Sequence, residues 1–314
     1  MKEMLAWIAS CQPAAAAGSW TPIERGGSDR QFWRGGGAAA GLVAVVYGDE
    51  KAENARYADC ANFLRDQGIS VPQVVAHESD QRFLLLEDAG DQDLWTHREA
   101  PWESRRALYL EALGQIARFH AVPLQAAEAA GLVQGPFDES LYTWEQEYFR
   151  EHFLGREFGP EQRDVLTEQA RRLAARPRVL LHRDLQSQNI MVRGGAVTLI
   201  DFQGMRAGLA GYDVASLLYD PYVPMADEAR DELSAEYACL AGRTDADGWN
   251  EELRACARQR LMQALGAYGF LGRVKGRAHF LTHIPVAAAR MADLCQHDPV
   301  WRPLANAVRE AAQK

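Results

Sequence analysis

Three oxygen-bearing side chains, those of Asp184, Asn189 and Asp201, follow one another closely enough to serve one reaction. Asp184 comes after an apolar run typical of a buried strand, where a carboxylate can accept a proton from a substrate hydroxyl. Gly194-Gly195 predicts a two-residue hairpin turn, and counting outward from it pairs Asn189 with Ile200, one register step from Asp201. Amide and carboxylate oxygens are ligands that Mg²⁺ prefers. The spacing predicts a general base beside a magnesium site.

The same segment carries a known pattern. Residues 181–189 are Leu-His-Arg-Asp-Leu-Gln-Ser-Gln-Asn and residues 200–204 are Ile-Asp-Phe-Gln-Gly, which fit the kinase catalytic loop H-R-D-L-x-x-x-N and a variant of D-F-G. Over most of residues 20–220 the chain resembles the aminoglycoside phosphotransferase and choline kinase family of protein-kinase-like enzymes. The resemblance implies phosphoryl transfer from ATP with Mg²⁺ as cofactor, catalytic roles for Asp184, Asn189 and Asp201, and metal ligation by Asn189 and Asp201.

A simpler interpretation exists for each of these residues. Asp and Asn often cap turns, and any one of the three taken singly fits that role. Taken together with His182, Arg183 and the hairpin, they match one mechanism, because phosphoryl transfer needs an oriented hydroxyl and a metal held against the phosphates.

The element pattern predicts an α+β, two-lobed fold. Strand-like segments precede and follow one helical stretch at residues 50–67, which ends at Gly68. After Gly90 the pattern is mostly helical, apart from a β-rich stretch at residues 179–202. Together with the resemblance, this pattern implies an N-terminal nucleotide-binding lobe, residues 1–88, with a small antiparallel sheet and one main helix, and a larger, mostly helical catalytic and substrate-binding lobe, residues 89–314. The strand candidates are 20–23, 32–34, 42–47, 71–77 and 82–87, and the helix candidates of the second lobe include 145–154, 161–175, 213–219, 227–241 and 250–271.

Two N-terminal segments are candidates for nucleotide contact. Residues 25–30, Arg-Gly-Gly-Ser-Asp-Arg, resemble the family's phosphate-covering loop, which implies contacts from Gly27, Ser28 and Arg30. A plain hairpin turn is the alternative. Residues 85–88, Leu-Leu-Glu-Asp, resemble the hinge that binds adenine, which implicates Glu87 and Asp88. Ordinary charges at a strand end are the alternative there.

One family feature is missing. Protein kinases carry a phosphate-binding Lys in V-A-I-K, whereas residues 43–47 are Val-Ala-Val-Val-Tyr. Glu53 occupies the place of the usual Glu partner, and Arg30, Arg34 or Lys51 could supply the missing charge. The gap leaves open a pseudokinase that binds nucleotide without catalysis.

Residues around the catalytic segment have structural interpretations as well. Asp213 matches the family residue that braces the catalytic loop, with a helix N-cap as the alternative. His120 and His182 are expected to be packed, hydrogen-bonded histidines.

Charge and composition narrow the partners. The formal net charge of −9 argues against nucleic acid or an anionic membrane as a partner. No run of 18 apolar residues occurs, and five single cysteines without a C-x-x-C pair are typical of reduced thiols. A cytoplasmic protein acting on a small molecule is the expectation.

The acceptor is predicted from a narrower resemblance. Residues 28–34, 83–88, 147–150 and 201–203 resemble bacterial kinases that phosphorylate the anomeric hydroxyl of N-acetylmuramate and N-acetylglucosamine, which implies a role in cell-wall recycling. From Met205 onward 14 acidic residues face 13 basic ones, a balance that suits a neutral or acidic sugar better than a polycation. Basic residues from Arg254 to Arg277 could meet a carboxylate or form a solvated face. Aminoglycoside, choline and homoserine kinases remain alternatives, while the lack of an A-P-E segment argues against a protein kinase.

Overall fold

The computed structural model describes residues 1–23 and 30–313, and it combines a sheet-rich N-terminal region, up to residue 88, with a mostly helical C-terminal region from residue 89 onward. Five strands form the N-terminal sheet: β1 (Ser19–Ile23), β2 (Gln31–Gly36), β3 (Leu42–Val46), β4 (Val74–Glu78) and β5 (Phe83–Glu87). Their order is β1-β2-β3-β5-β4, and every pair is antiparallel. The predicted antiparallel sheet is confirmed.

The central strands of this sheet are buried on both faces. Ala44 and Leu85 pack beneath helix α1 (Lys2–Cys11), whereas Val45 and Leu84 point to the opposite face and join the main core. This alternation follows from the two-residue period of a strand. Burial on both faces explains why Phe83 to Leu86 is a continuous apolar run in the sequence.

The predicted helix at residues 50–67 is present in a shorter form. Residues Ala52–Arg56 form a 3₁₀ turn, and helix α2 (Tyr57–Asp66) follows. Gly68 has φ of +74°, a left-handed conformation that suits glycine at a helix end. Glu53 therefore lies on the 3₁₀ turn and not on the main helix.

Helices make up most of the C-terminal region. They are α3 (Trp102–Ala121), α4 (Leu124–Ala129), α5 (Glu139–Phe149), α6 (Pro160–Ala174), α7 (Ala210–Leu218), α8 (Asp227–Leu240), α9 (Ala246–Gly269), α10 (Ile284–Gln296) and α11 (Arg302–Ala311). Helices α5 and α9 lie in close contact, because a side chain at Gly266 would meet the backbone of Phe149 at 3.0 Å. Each of the two helices continues into a short π-helical segment, Arg150–Leu154 and Phe270–Val274.

Short strands of the C-terminal region position the candidate catalytic residues. β7 (Val179–Leu181) pairs with β10 (Arg206–Gly208), and β6 (Gln92–Asp93), β8 (Ile190–Arg193) and β9 (Ala196–Leu199) form a three-stranded sheet in the order β6-β8-β9. Among the helices of residues 1–23 and 30–313, none is long and apolar enough to cross a membrane.

Candidate active site

The hairpin of β8 and β9 brings Asn189 and Asp201 together. Gly194 and Gly195 form its turn with φ of +60° and +84°, as a two-residue hairpin connection requires. Beyond the last pair of the two strands, the Ile200 amide donates to the Asn189 carbonyl at 3.0 Å. The pairing predicted from the sequence is confirmed, and Asp201 comes directly after it.

Asp213 holds the loop that carries the predicted base. Its fully buried carboxylate accepts hydrogen bonds from the backbone amides of His182 at 2.7 Å and Arg183 at 2.8 Å. Arg183 has φ of +82°, and such a conformation costs about 1–3 kcal/mol in a non-glycine residue. Two bonds to a carboxylate offset that cost. Because the N-cap of α7 is Leu209, the alternative that Asp213 caps this helix is wrong.

Both predicted histidines are packed and hydrogen-bonded. His120 is 8% exposed and lies between the Asp213 carboxylate, at 3.1 Å, and the Tyr237 hydroxyl, at 2.6 Å. His182 is fully buried, and its Nε2 lies 3.0 Å from the Ile200 carbonyl. The two rings thus connect the loop to its surroundings.

Asp184 presents a reachable carboxylate. Its side chain is 37% exposed, and its backbone carbonyl accepts from Asn189 Nδ2 at 2.8 Å. Two guanidinium groups flank the carboxylate, with Arg183 Nε at 3.8 Å from Oδ2 and Arg260 Nη2 at 3.7 Å from Oδ1. Both separations exceed hydrogen-bonding distance, so a substrate hydroxyl can approach Asp184 without displacing a bond from either arginine.

Asp201 has a left-handed backbone, with φ of +66°, and two partners on one oxygen. Its Oδ1 pairs with Arg30 Nη2 and accepts from Gln203 Nε2 at 3.0 Å. Burial favours a higher pKa for this carboxyl, but the Arg30 charge and the two hydrogen bonds outweigh it and lower the pKa. Phe202 packs against Tyr57 of α2 with ring centroids 4.9 Å apart, so the segment after Asp201 contacts the N-terminal region.

The donor set of this site fits magnesium. Because the Asn189 amide nitrogen donates to the Asp184 carbonyl, its oxygen is directed elsewhere and is available to a cation. Asp201 Oδ2 accepts no hydrogen bond from the described residues, which leaves a second oxygen. Across residues 1–23 and 30–313 no cluster of three His, Cys, Asp or Glu could hold a metal by itself. Two protein oxygens suit Mg²⁺, which keeps water and phosphate as its remaining ligands.

Of the residues predicted to contact phosphate, Gly27 and Ser28 lie outside the described residues. Arg30 lies next to Asp201, with its side chain 14% exposed. Gln203 contributes a further polar atom here, because its buried Oε1 has no hydrogen-bond partner in the described part of the chain.

Glu87 and Asp88 lie at the end of β5, where the N-terminal region continues into the C-terminal region. Asp88 accepts a bidentate pair from Arg34, with Nε at 2.8 Å and Nη2 at 3.1 Å, while the Glu87 side chain is 53% exposed. The Glu87 amide donates to Gln73 and the Asp88 amide to Gly41, both at 2.9 Å. Adenine contacts from this segment would therefore use other backbone atoms than these two amides.

Glu53 has a different partner from that of a kinase glutamate. Its carboxylate accepts from Gln134 Nε2 at 3.0 Å, and Gln134 in turn accepts from Arg206 at 2.9 Å. Lys51, one candidate for the missing lysine, is exposed. Of the three candidate cations, Arg34 pairs with Asp88 and Arg30 pairs with Asp201.

Glu145 is a buried carboxyl that lies outside the motifs from which site residues are predicted. It is 4% exposed and accepts from the Tyr212 hydroxyl at 2.7 Å and from Gln259 Nε2 at 2.9 Å. Burial raises the pKa of this carboxyl to about 7, against the opposing effect of its hydrogen bonds and of nearby arginines. Its helical spacing with Tyr142 and Phe149, both apolar and buried, is the signal that could have identified a carboxylate facing the core.

A family model described as "Phosphotransferase enzyme family" matches residues 19–250. The chain belongs to this family. Among curated proteins, one named N-acetylmuramate/N-acetylglucosamine kinase from Pseudomonas putida is 24% identical over 310 residues, covering 94% of this chain and 88% of the relative. Another of the same name from Neisseria meningitidis serogroup B is 29% identical over 233 residues, covering 69% of this chain and 68% of the relative.

Solved structures of low sequence identity share the fold. The GDP complex of wild-type aminoglycoside 2'-phosphotransferase-IIIa has a TM-score of 0.68 at 14% identity and covers 93% of this chain and 97% of its own. A choline/ethanolamine kinase family protein from Mesorhizobium loti has a TM-score of 0.67 at 16% identity, with coverage of 98% and 99%. The predicted two-lobed kinase-like fold and the predicted class, an ATP-dependent kinase of small molecules, are confirmed.

Proposed function

We propose that this chain transfers a phosphoryl group from magnesium-bound ATP to the anomeric hydroxyl of N-acetylmuramate or N-acetylglucosamine. The observation that carries the chemistry is the placement of a reachable Asp184 on the same loop as Asn189, with Asp201 one step across the hairpin. The names of the curated relatives support the acceptor. Phosphorylation of such sugars in the cytoplasm would return cell-wall material to use.

In this proposal each residue has one task. Asp184 accepts a hydrogen bond from the acceptor hydroxyl and takes its proton as the acceptor oxygen bonds to the γ-phosphorus and the bond from that phosphorus to the leaving ADP breaks. Asn189 and Asp201 would hold Mg²⁺, which neutralises charge on the phosphates. Arg30 lies beside Asp201 and supplies the positive charge that β3 lacks, because it is the candidate cation nearest the metal ligands. Gly27 and Ser28 complete the phosphate contacts.

The nucleotide in this proposal occupies the space between the two predicted lobes, residues 1–88 and 89–314. Glu87 ends the last strand of the first lobe, and Asp88 follows it. Their contribution to adenine is through the path of the backbone, since the Asp88 side chain is engaged with Arg34.

The test is a panel of acceptors with pure protein and magnesium-ATP. We expect ADP release with N-acetylmuramate and N-acetylglucosamine, and a phosphorus resonance coupled to the anomeric proton of the product. Choline, homoserine and aminoglycosides serve as comparison acceptors. Turnover of an aminoglycoside alone would overturn the proposed acceptor.

A nucleotide-binding pseudokinase is the second candidate, and the absence of a lysine from β3 favours it. Such a protein would bind ATP without consuming it in the presence of any of these acceptors. Calorimetric binding of ATP together with no ADP release across the panel would support that alternative.

A further inference from the structure

Arg260 of α9 lies beside the candidate base. Its Nη2 is 3.7 Å from Asp184 Oδ1. The neighbouring basic residues on the same helix are placed differently: Arg254 is exposed, and Arg258 lies over the Trp301 ring at 4.2 Å and donates to Gln169. The basic cluster of the sequence is therefore not one face, and Arg260 has a position of its own.

The guanidinium of Arg260 is fixed in orientation. Its Nε donates to the Ser216 hydroxyl at 2.9 Å, and that hydroxyl donates to the Tyr212 carbonyl at 2.9 Å. Its Nη1 donates to Gln263 Oε1. Since two of its three nitrogens are held by helices α7 and α9, the third is directed to the side of Asp184.

That third nitrogen retains donor capacity. A distance of 3.7 Å to Asp184 is too long for a hydrogen bond, and Nη2 has no other acceptor among the described residues. The side chain is 13% exposed, so it is not completely closed off from solvent. Burial favours a lower pKa for this guanidinium, but Tyr212, Asp184, Tyr268 and Glu145 outweigh it and raise the pKa. The group is a permanent cation next to the reacting position.

We infer that Arg260 is a specificity-determining residue whose Nη2 donates to a carbonyl or carboxylate oxygen on the substituent next to the hydroxyl that Asp184 activates. The inference rests on the proposed function. An N-acetyl group on the carbon beside the anomeric carbon offers such an oxygen, whereas a plain hydroxyl offers a weaker acceptor. A protonated amine at that carbon meets a like charge, which disfavours free amino sugars.

The test compares kcat/KM for N-acetylglucosamine, glucose and protonated glucosamine. In the wild type we expect N-acetylglucosamine to be preferred and glucosamine to be the poorest. Arg260→Gln should lower the ratio of N-acetylglucosamine to glucose by about ten- to a hundredfold, the range for a lost charged hydrogen bond, and should improve glucosamine relative to glucose. Arg254→Gln, an exposed arginine of the same helix, is the matched control and should leave both ratios unchanged.

Arg260→Lys separates charge from geometry, and it replaces the first variant if Arg260→Gln does not fold. We expect it to keep the discrimination against glucosamine and to lose part of the preference for the N-acetyl group. An equal loss on all three sugars in a folded variant overturns the inference, because Arg260 would then act only through Asp184. A wild type inactive on every N-acetyl sugar overturns the proposed function as well, whereas an active wild type with unchanged ratios in both variants overturns the inference alone.

Discussion

At the scale of single residues, the site depends on Asp184, whose backbone is fixed in position while its carboxylate makes no hydrogen bond to the described residues. Asp184 has cations on two sides, yet its carboxylate has no partner within hydrogen-bonding distance in the described ranges. Asp213 provides the rigidity from behind, through two backbone amides. Asp213 therefore fixes the position of the loop, whereas the Asp184 carboxylate stays open to a substrate. Substitutions at the two residues can test these two properties separately.

Replacing Asp184 with Asn tests the base directly. The amide keeps the size of the side chain but cannot take a proton, so we expect kcat to fall by about 10²- to 10⁴-fold. Nucleotide affinity, measured by calorimetry, should stay near that of the wild type, because Asn189 and Asp201 are unchanged. Asp164→Asn, at an exposed position of α6, is the control. Full turnover by the Asp184 variant would show that another group takes the proton.

Substitutions at Arg30 test whether this residue supplies the charge of the lysine that β3 lacks. Arg30→Met removes the cation beside Asp201, and we expect kcat/KM for ATP to fall by about ten- to a hundredfold, the range for one charged hydrogen bond. Arg30→Lys should recover part of the loss because it restores the charge. Steady-state rates at varied ATP and saturating acceptor measure both. An unchanged value for the Met variant would move the phosphate contact to another cation.

At the scale of elements, the features that the sequence predicts correctly are those set by residues close together in the chain. The Gly194-Gly195 turn and the strands beside it follow from neighbouring residues, so the pairing of Asn189 with Ile200 could be counted out in advance. Helices α10 and α11 went unpredicted, although Leu304, Val308 and Ala311 recur at helical spacing and are buried. The place of Arg260 beside Asp184 depends on how two distant elements pack, and no local pattern encodes it.

Helix α5 carries a buried carboxyl, Glu145, whose contribution to the free energy of unfolding depends on pH. Burial raises the pKa of Glu145 from 4.5 to about 7, so in this interval the folded protein binds more protons than the unfolded chain. The stabilising contribution of protonated Glu145 is complete below about pH 4.5 and is lost as pH rises through about 7. We expect the free energy of unfolding to decrease between pH 5 and pH 8 by up to about 3 kcal/mol more in the wild type than in Glu145→Gln.

Urea unfolding at the two pH values measures this difference. Glu147→Gln is the matched control, because Glu147 lies on the same helix with its side chain 52% exposed and pairs with Arg150. It should keep the pH dependence of the wild type. Parallel curves for the wild type and Glu145→Gln would mean that Glu145 is ionised in the folded protein throughout.

At the scale of the whole molecule, polar contacts between residues far apart in the sequence join the N-terminal region to the C-terminal region. The Leu199 amide of β9 donates to the Ser70 carbonyl at 2.8 Å, and Arg193 donates to the Asp88 carbonyl at 3.1 Å. Such contacts explain why the alternative roles of Asp88 and Arg34 stayed open in the sequence. A charge at the end of a strand does not reveal its partner until the fold brings the two together.

The ion pair of Arg34 and Asp88 lies at the boundary but within the N-terminal region, and Arg34 also donates to the Gly90 carbonyl of the C-terminal region at 2.6 Å. Arg34→Met leaves a carboxylate that is 13% exposed without its main partner, and we expect a loss of about 1.5–3 kcal/mol in the free energy of unfolding. The control is Arg82→Gln, which breaks a pair with Asp49 at one end of the same sheet, just outside strands β5 and β3. Because both side chains of that pair are about half exposed or more, at 49% and 84%, we expect a change of less than about 1 kcal/mol. Equal losses in the free energy of unfolding of the two variants, measured by urea unfolding, would mean that the Arg34–Asp88 pair contributes no more than a surface pair.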